Sequence, residues 1–172
     1  MNAPERREKI IKILKDNSKP VSGSSLAEQL GVSRQLIVQD IALLRAAGED
    51  IFATPQGYVL SAAVKRKSRR VVAAQHDEDG MAAELYTIVS LGGKVIDVVV
   101  EHPLYGEMRG LLMLSNRQEV DDFLAQYRVS GAQLLSSLTK GVHLHTIEAD
   151  TEERIMFIVE ALREKGYLLN QM

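Results

Sequence analysis

Four histidines (His76, His102, His143 and His145) and no cysteine bound the chemistry open to this 172-residue chain. His143 and His145 stand two apart in Val142–Glu148, a run with the alternation of a strand. Both imidazoles therefore project from one face. The expectation is that they sit on an uncovered face of the sheet and that Leu144 points into a helix-covered core. His76 closes an earlier strand-like run, Arg70–Gln75, and Glu84 lies on the stripe Met81–Glu84–Ile88 of the helix after it. A carboxylate on such a stripe is costly unless it is paired or bound to a cation. His76, Glu84, His143 and His145 make a reasonable ligand set for Zn²⁺ or Ni²⁺ and a poor one for Ca²⁺ or Mg²⁺. Without cysteine there can be no disulfide, thiolate zinc finger or cysteine nucleophile, so any metal must use nitrogen and oxygen. On spacing alone the His-x-His pair also reads as two surface histidines. His102 reads as an effector contact, a metal ligand or a turn residue bonded to backbone.

A different chemistry is concentrated near Ser33. This residue is a strong N-cap for a helix running to about Ala47, with Ile37, Ile41 and Leu44 facing inward. Arg34, Gln35, Val38, Gln39 and Ala42 lie mainly on the other side. Arg and Gln at the start of a recognition helix suit bidentate contacts to guanine and adenine edges. The alternative is a solvent-facing surface of a small three-helix domain. Ser33, Arg34, Gln35, Gln39 and Arg45 are the candidate DNA contacts.

The elements that must position these residues fall into two groups. A helix from Pro4 to about Asn17, a short helix capped by Ser22, a turn at Gly31 and the Ser33 helix have helix–turn–helix spacing. Ile51–Thr54 and Tyr58–Leu60 around Pro55-Gln56-Gly57 add a hairpin, which makes the module a winged helix–turn–helix. Beyond residue 70 the pattern reads β-α-β-β-α-β-α. That order predicts an α+β domain with a mostly antiparallel sheet, in a ferredoxin-like or phosphocarrier-like topology. The expected organisation is a DNA-binding domain over residues 1–61, a basic linker over 62–70 and a regulatory domain over 71–172.

Charge divides at the same place. Up to Arg70 there are 13 Lys and Arg against 7 Asp and Glu, or +6; beyond it 8 against 16, or −8. The net charge of −2 is the sum of a basic part and an acidic part that holds every histidine. Such asymmetry suits a nucleic-acid-facing module joined to something else. No apolar run is long enough to span a bilayer and no signal-peptide core precedes the first helix, so a cytoplasmic protein is expected.

Val32-Ser33-Arg34-Gln35 through Gln39-Asp40-Ile41, with Leu44-Arg45-Ala46-Ala47-Gly48, resembles the DNA-binding domain of biotin-repressor-type regulators. VIDVVVEHPLYGE (95–107) and LTKGVHLHTIEA (138–149) resemble the 3H domain. Together, over nearly the whole chain, they are similar to NiaR-type niacin-responsive repressors. The resemblance implies repression of niacin uptake or NAD-precursor salvage genes, with nicotinic acid as co-repressor. It also implies a bound transition metal, nickel or zinc, at His76, Glu84, His143 and His145. His102 and Tyr105 are then candidate effector contacts, the protein is not an enzyme, and a homodimer on operator DNA is expected. Two rival readings are a repressor for which the metal itself is the signal and, further off, a His/Glu metalloenzyme using Asp97 or Glu107. The sequence contains no recognisable nucleophile–base pair or phosphate loop to support the second.

Overall fold

The computed structural model describes residues 1–61 and 67–169 and divides into two units, Met1–Lys65 and Arg66–Met172. In the first unit, Asn2 and Glu5 form a reciprocal capping box that opens α1 (Ala3–Asp16), with Pro4 in its first turn. The Ser22 hydroxyl accepts from Ser25 N to cap α2 (Gly23–Leu30). The left-handed Gly31 ends that helix. Ser33 accepts from Leu36 N at 3.2 Å and starts α3 (Arg34–Ala46). β1 (Ile51–Thr54) and β2 (Gly57–Leu60) pair as the expected antiparallel hairpin. Val21 exchanges two backbone hydrogen bonds with Tyr58, each 2.8 Å, and so ties the hairpin to the entry of α2. Gly57 is required there. Its φ is +136°, and a Cβ would lie 2.3 Å from the Val21 carbonyl oxygen. Ile10, Leu14, Leu26, Ile37, Ile41, Ile51 and Leu60 close the core.

One feature of this core is polar. On the inward face of α3, beside Ile37 and Ile41, Asp40 is 2 % exposed. It accepts from Arg6 Nε at 2.5 Å, and Arg7 Nη1 approaches its other oxygen at 3.5 Å. A buried carboxylate needs such partners. The pair therefore fixes α1 against the helix that carries the candidate base contacts.

The second unit begins earlier than its apolar pattern suggests. β3 spans Ser68–Gln75, so the last three residues of the expected basic linker are strand; residues 62–66 lie outside the described residues. Their charge does not prevent pairing because carboxylates meet it. Arg69 bonds Glu148 at 2.7 Å, and Arg70 pairs with Glu152. The remaining elements are α4 (Gly80–Ser90), β4 (Lys94–His102), β5 (Gly106–Leu114), α5 (Arg117–Ser130), a 3₁₀ turn (Leu135–Thr139), β6 (Val142–Ala149) and α6 (Glu152–Glu164). The strand order is β3-β6-β4-β5, and every pairing is antiparallel. With β6 inserted between β3 and β4 and β3 left at an edge, this is the phosphocarrier-like alternative; a ferredoxin-like order would set β3 beside β5.

Leu85 and Ile88 of α4, Val120 and Leu124 of α5, and Ile155, Ile158 and Leu162 of α6 pack with Val95, Leu114 and Ile147 of the sheet. This packing reverses the expected facing of β6. His143, His145, Ile147 and Ala149 alternate on the buried, helix-covered face, whereas Leu144 is 36 % exposed. The apolar commitment of Ile147 and Ala149 sets the face for the whole strand, because a shift of one residue would expose them all. The imidazoles can lie among helices because a buried carboxylate awaits them there. Among the described residues no helix is long and apolar enough to cross a membrane.

Candidate metal centre and nucleic-acid interface

Three imidazoles converge on one carboxylate. Glu84 comes from the buried side of α4 and is 1 % exposed. Its Oε2 lies 2.5 Å from His76 Nε2, 3.2 Å from His143 Nε2 and 3.4 Å from His145 Nε2. Its Oε1 is buried with no hydrogen-bond partner. His76 stands just past β3, while His143 and His145 come from β6, the strand adjacent to it. Gly141 allows the close approach of the two segments, since a Cβ there would sit 2.2 Å from the His76 carbonyl oxygen. Neighbouring rings meet edge to face, at 4.8 Å for His76 and His143 and 4.7 Å for His143 and His145.

The far side of each ring is held by backbone. His76 Nδ1 donates to the Asp77 carbonyl at 2.7 Å, His143 Nδ1 to that of Gly141 at 2.8 Å, and His145 Nδ1 to that of Asp97 at 2.6 Å. With the proton fixed on Nδ1, a neutral imidazole presents a lone pair at Nε2. Three such lone pairs cannot face a carboxylate without something positive between them. Either protons occupy the Nε2 atoms or a cation does. The outer carbonyls orient these rings as outer partners orient histidine ligands, and the partnerless Oε1 leaves capacity for a ligand bond. The residues present therefore fit a nitrogen–oxygen metal site: His76, Glu84 and His143 could hold an ion, with His145 close by.

Electrostatics agree with this. Burial opposes ionisation of Glu84, but hydrogen bonds from His143, His145 and His76 outweigh it and hold the carboxyl far below its usual range. For His76 and His145, burial disfavours the charged ring. The hydrogen bond to Glu84 nevertheless holds both above the ordinary value of 6.5.

Three spaces touch residues of the cluster; one, of about 660 Å³, meets only His143, beside Val99, Thr139 and Leu144, and the other two meet His76. A small cavity of about 50 Å³ is bounded by the three histidines and Glu84 on one side and by Leu85, Val98, Leu112 and Phe123 on another. A more open cleft of about 680 Å³ is lined by His76, Tyr127, Gln133, Ser136 and Ser137. His102 and Tyr105 line none of the three. They sit at the β4–β5 turn, where His102 Nδ1 accepts from Leu104 N at 3.1 Å and from Tyr105 N at 3.2 Å. Tyr105 is 71 % exposed. Of the three readings open for His102, the structure supports the turn residue. The ring's acceptor at Nδ1 is occupied by the amides that shape the turn, and an effector contact by His102 or Tyr105 stays a proposal.

In the other unit, Ser33, Arg34, Gln35, Gln39 and Arg45 are all exposed. Ser33 caps α3; Gln35 and Gln39 lie with exposed Val38 and Ala42 on the side away from Ile37, Asp40 and Ile41, and Arg34 and Arg45 flank it. The Arg34 side chain passes over Gly23 at the start of α2. Arg and Gln can reach guanine and adenine edges, and Val38 and Ala42 can contact a thymine methyl. The sequence does not mark the carbonyls of Asp77, Gly141 and Asp97, which orient the three rings, or Tyr167, whose ring packs edge to face on His76 at 5.6 Å. A backbone carbonyl leaves no signal in residue type or spacing.

Signs follow for pH. A group with a depressed pKa stabilises the fold above its unfolded value and loses that contribution as pH falls; raised histidines contribute below about 6.5 and lose it as pH rises. The metal-free second unit is therefore expected to be most stable between about pH 4.5 and 6.5 and to lose stability toward pH 8.5. Because metal ligation requires deprotonated rings, the rise in melting temperature produced by added Ni²⁺ or Zn²⁺ should grow over the same range. Thermal melts with and without metal from pH 5.5 to 8.5 check this; a metal-induced rise that does not vary with pH contradicts it.

Comparison with known proteins places these two units in one family. The 3H domain model matches residues 69–171, and an HTH domain model matches residues 6–59. The chain is 46 % identical over 167 residues to the probable transcription repressor NiaR of Thermotoga maritima, covering 97 % of this chain and 95 % of that one. It is 41 % identical over 167 residues to the transcription repressor NadR of Bacillus subtilis, covering 95 % and 93 %. With both units matched and the likeness running almost end to end, the chain belongs to the NiaR/NadR family of transcription repressors, built from a helix–turn–helix domain and a 3H domain.

Proposed function

We propose that this protein is a cytoplasmic, homodimeric repressor of niacin-uptake or NAD-precursor salvage genes, with nicotinic acid as its co-repressor. In this reading His76, Glu84, His143 and His145 hold a nickel or zinc ion, and the effector binds beside it. The observation that carries the reading is the convergence of three Nε2 atoms on buried Glu84, next to an open cleft, in a chain that also presents a recognition helix. The names of the relatives support the regulatory part. Residues 1–61 serve as reader, the stretch between them and Ser68 as connector, and the part from β3 onward as sensor.

A bound ion supplies a Lewis-acid position that can accept a carboxylate oxygen or a pyridine nitrogen, and nicotinate offers both. The rest is the work of the chain. Backbone carbonyls hold each Nδ1 proton, so the Nε2 lone pairs stay directed inward. Glu84 balances charge in a site closed by Leu85, Val98 and Phe123. Gln133, Ser136 and Ser137 offer hydrogen bonds along the cleft. The effector acts by binding one arrangement of the dimer more tightly than the other. The favoured arrangement spaces two copies of α3 by about 34 Å, one turn of the operator.

Fluorescence anisotropy with operator DNA tests the reading. Nicotinate is expected to tighten operator binding by roughly 5–150-fold, the usual range of allosteric coupling. Chelation or His143→Ala should abolish that gain and leave unliganded DNA binding in place. A response to metal without nicotinate would favour the metal as the signal, and a gain unaffected by complete metal removal would overturn the role of the centre. On the reader, Arg34→Ala and Gln35→Ala should each cost roughly 1–3 kcal/mol on operator DNA and much less on random DNA. Equal losses on both would show that neither side chain reads a base.

A further inference from the structure

β4 and β6 do not pair regularly beside the histidine cluster. Val95 opposes Ile147 and Val99 opposes Leu144, so four steps along β4 match three along β6. One extra residue is therefore accommodated on β4, as in a β-bulge. Asp97 lies in this irregular stretch and is 2 % exposed. Its carbonyl oxygen accepts from His145 Nδ1 at 2.6 Å. Its carboxylate turns to the next residue of β6. Oδ1 accepts from Thr146 N at 2.8 Å, and Oδ2 accepts from the Thr146 hydroxyl at 3.1 Å. Arg109 Nε stands 3.5 Å from Oδ2 on the neighbouring strand.

These bonds exchange roles. In a regular ladder the Thr146 amide would bond a β4 carbonyl. Here the Asp97 side chain takes that donor, and the Asp97 carbonyl goes to an imidazole instead. The Thr146 amide is not left unpaired by the exchange, as a buried strand requires. We infer that Asp97 is a positioning residue for the centre: its carboxylate locks Thr146 across the bulge so that its own carbonyl holds the His145 ring with Nε2 directed at Glu84. The histidines act through their side chains, whereas Asp97 acts through both its side chain and its backbone. Its effect on metal binding rests on the proposed metal reading; its effect on the His145 proton does not.

Two measurements separate these claims. In metal-free protein, ¹⁵N-edited NMR of the imidazoles should show a hydrogen-bonded Nδ1 proton on His145, lost in Asp97→Ala and kept in Asp97→Asn, whose amide oxygen can still accept from Thr146 N. In titration calorimetry with Ni²⁺ or Zn²⁺, Asp97→Ala should weaken binding about 10–100-fold, with Asp97→Asn recovering most of the loss. Should Asp97→Ala not fold, Thr146→Val replaces it, since it removes only the hydroxyl contact; it should weaken metal binding by about threefold or more. A His145 proton and a metal affinity both unchanged in a folded Asp97→Ala or Thr146→Val protein overturn the inference. A wild-type chain that binds no metal, with the NMR difference intact, overturns the metal reading instead and leaves the positioning role standing.

Discussion

A single carboxylate among helices is the constraint around which the second unit is organised. Glu84 has almost no contact with solvent, and a lone charge in that position would be strongly disfavoured. Its side chain is tolerated because two adjacent strands deliver three imidazoles to one of its oxygens. The demand propagates outward. His143 and His145 must face the helices, so β6 turns its polar pair inward and leaves Leu144 on the open side. His76 must end β3 beside Gly141, where a larger residue would collide with its backbone. The Nδ1 atoms must be held away from the centre, which commits the carbonyls of Asp77, Gly141 and Asp97. Packing of Ile147, Ile155, Ile158 and Leu162 supplies the apolar core and holds the facing of β6, and the polar cluster is accommodated on that same face.

The reader has a smaller version of the same device. Asp40 is buried on the inward side of α3 and paired with Arg6, so a charge pair determines how α1 rests against the recognition helix. Replacing a buried pair by apolar residues often does no harm to stability, whereas removing one partner usually does. The value of Arg6 and Asp40 is then positional. They fix the direction in which Arg34, Gln35 and Gln39 project. The charge division of +6 and −8 suits this arrangement, because the basic helix–turn–helix part is attracted to phosphate and the acidic part beyond Arg70 is repelled by it.

Much of this was legible in the residues, for identifiable reasons. Caps at Ser22 and Ser33 and the stop at Gly31 carry local physics that needs no tertiary context, and each occurs where it is expected. His76, Glu84, His143 and His145 do meet in the structure; the strand period puts His143 and His145 on one face, and the helix period puts Glu84 on the apolar stripe of α4. The facing of β6 was misjudged because histidine was taken as a surface residue, without crediting the pull of Ile147 and Ala149 two and four positions further on. Asp40 and Asp97 were not legible as structural residues. Each is stabilised by a partner at least 34 positions away, and no periodicity records such a meeting. His102 is the opposite case, conspicuous by type, while the two turn amides that engage its Nδ1 leave no mark in the sequence.

The central claim is that the three imidazoles and Glu84 form a metal centre to which nicotinate couples. X-ray absorption at the metal edge of Ni²⁺-loaded protein, before and after nicotinate, tests it most directly. The account predicts the multiple-scattering signature of histidine rings with an added oxygen ligand, and a change in coordination when nicotinate is added. A spectrum without imidazole scattering, or one that nicotinate leaves unchanged, would contradict it.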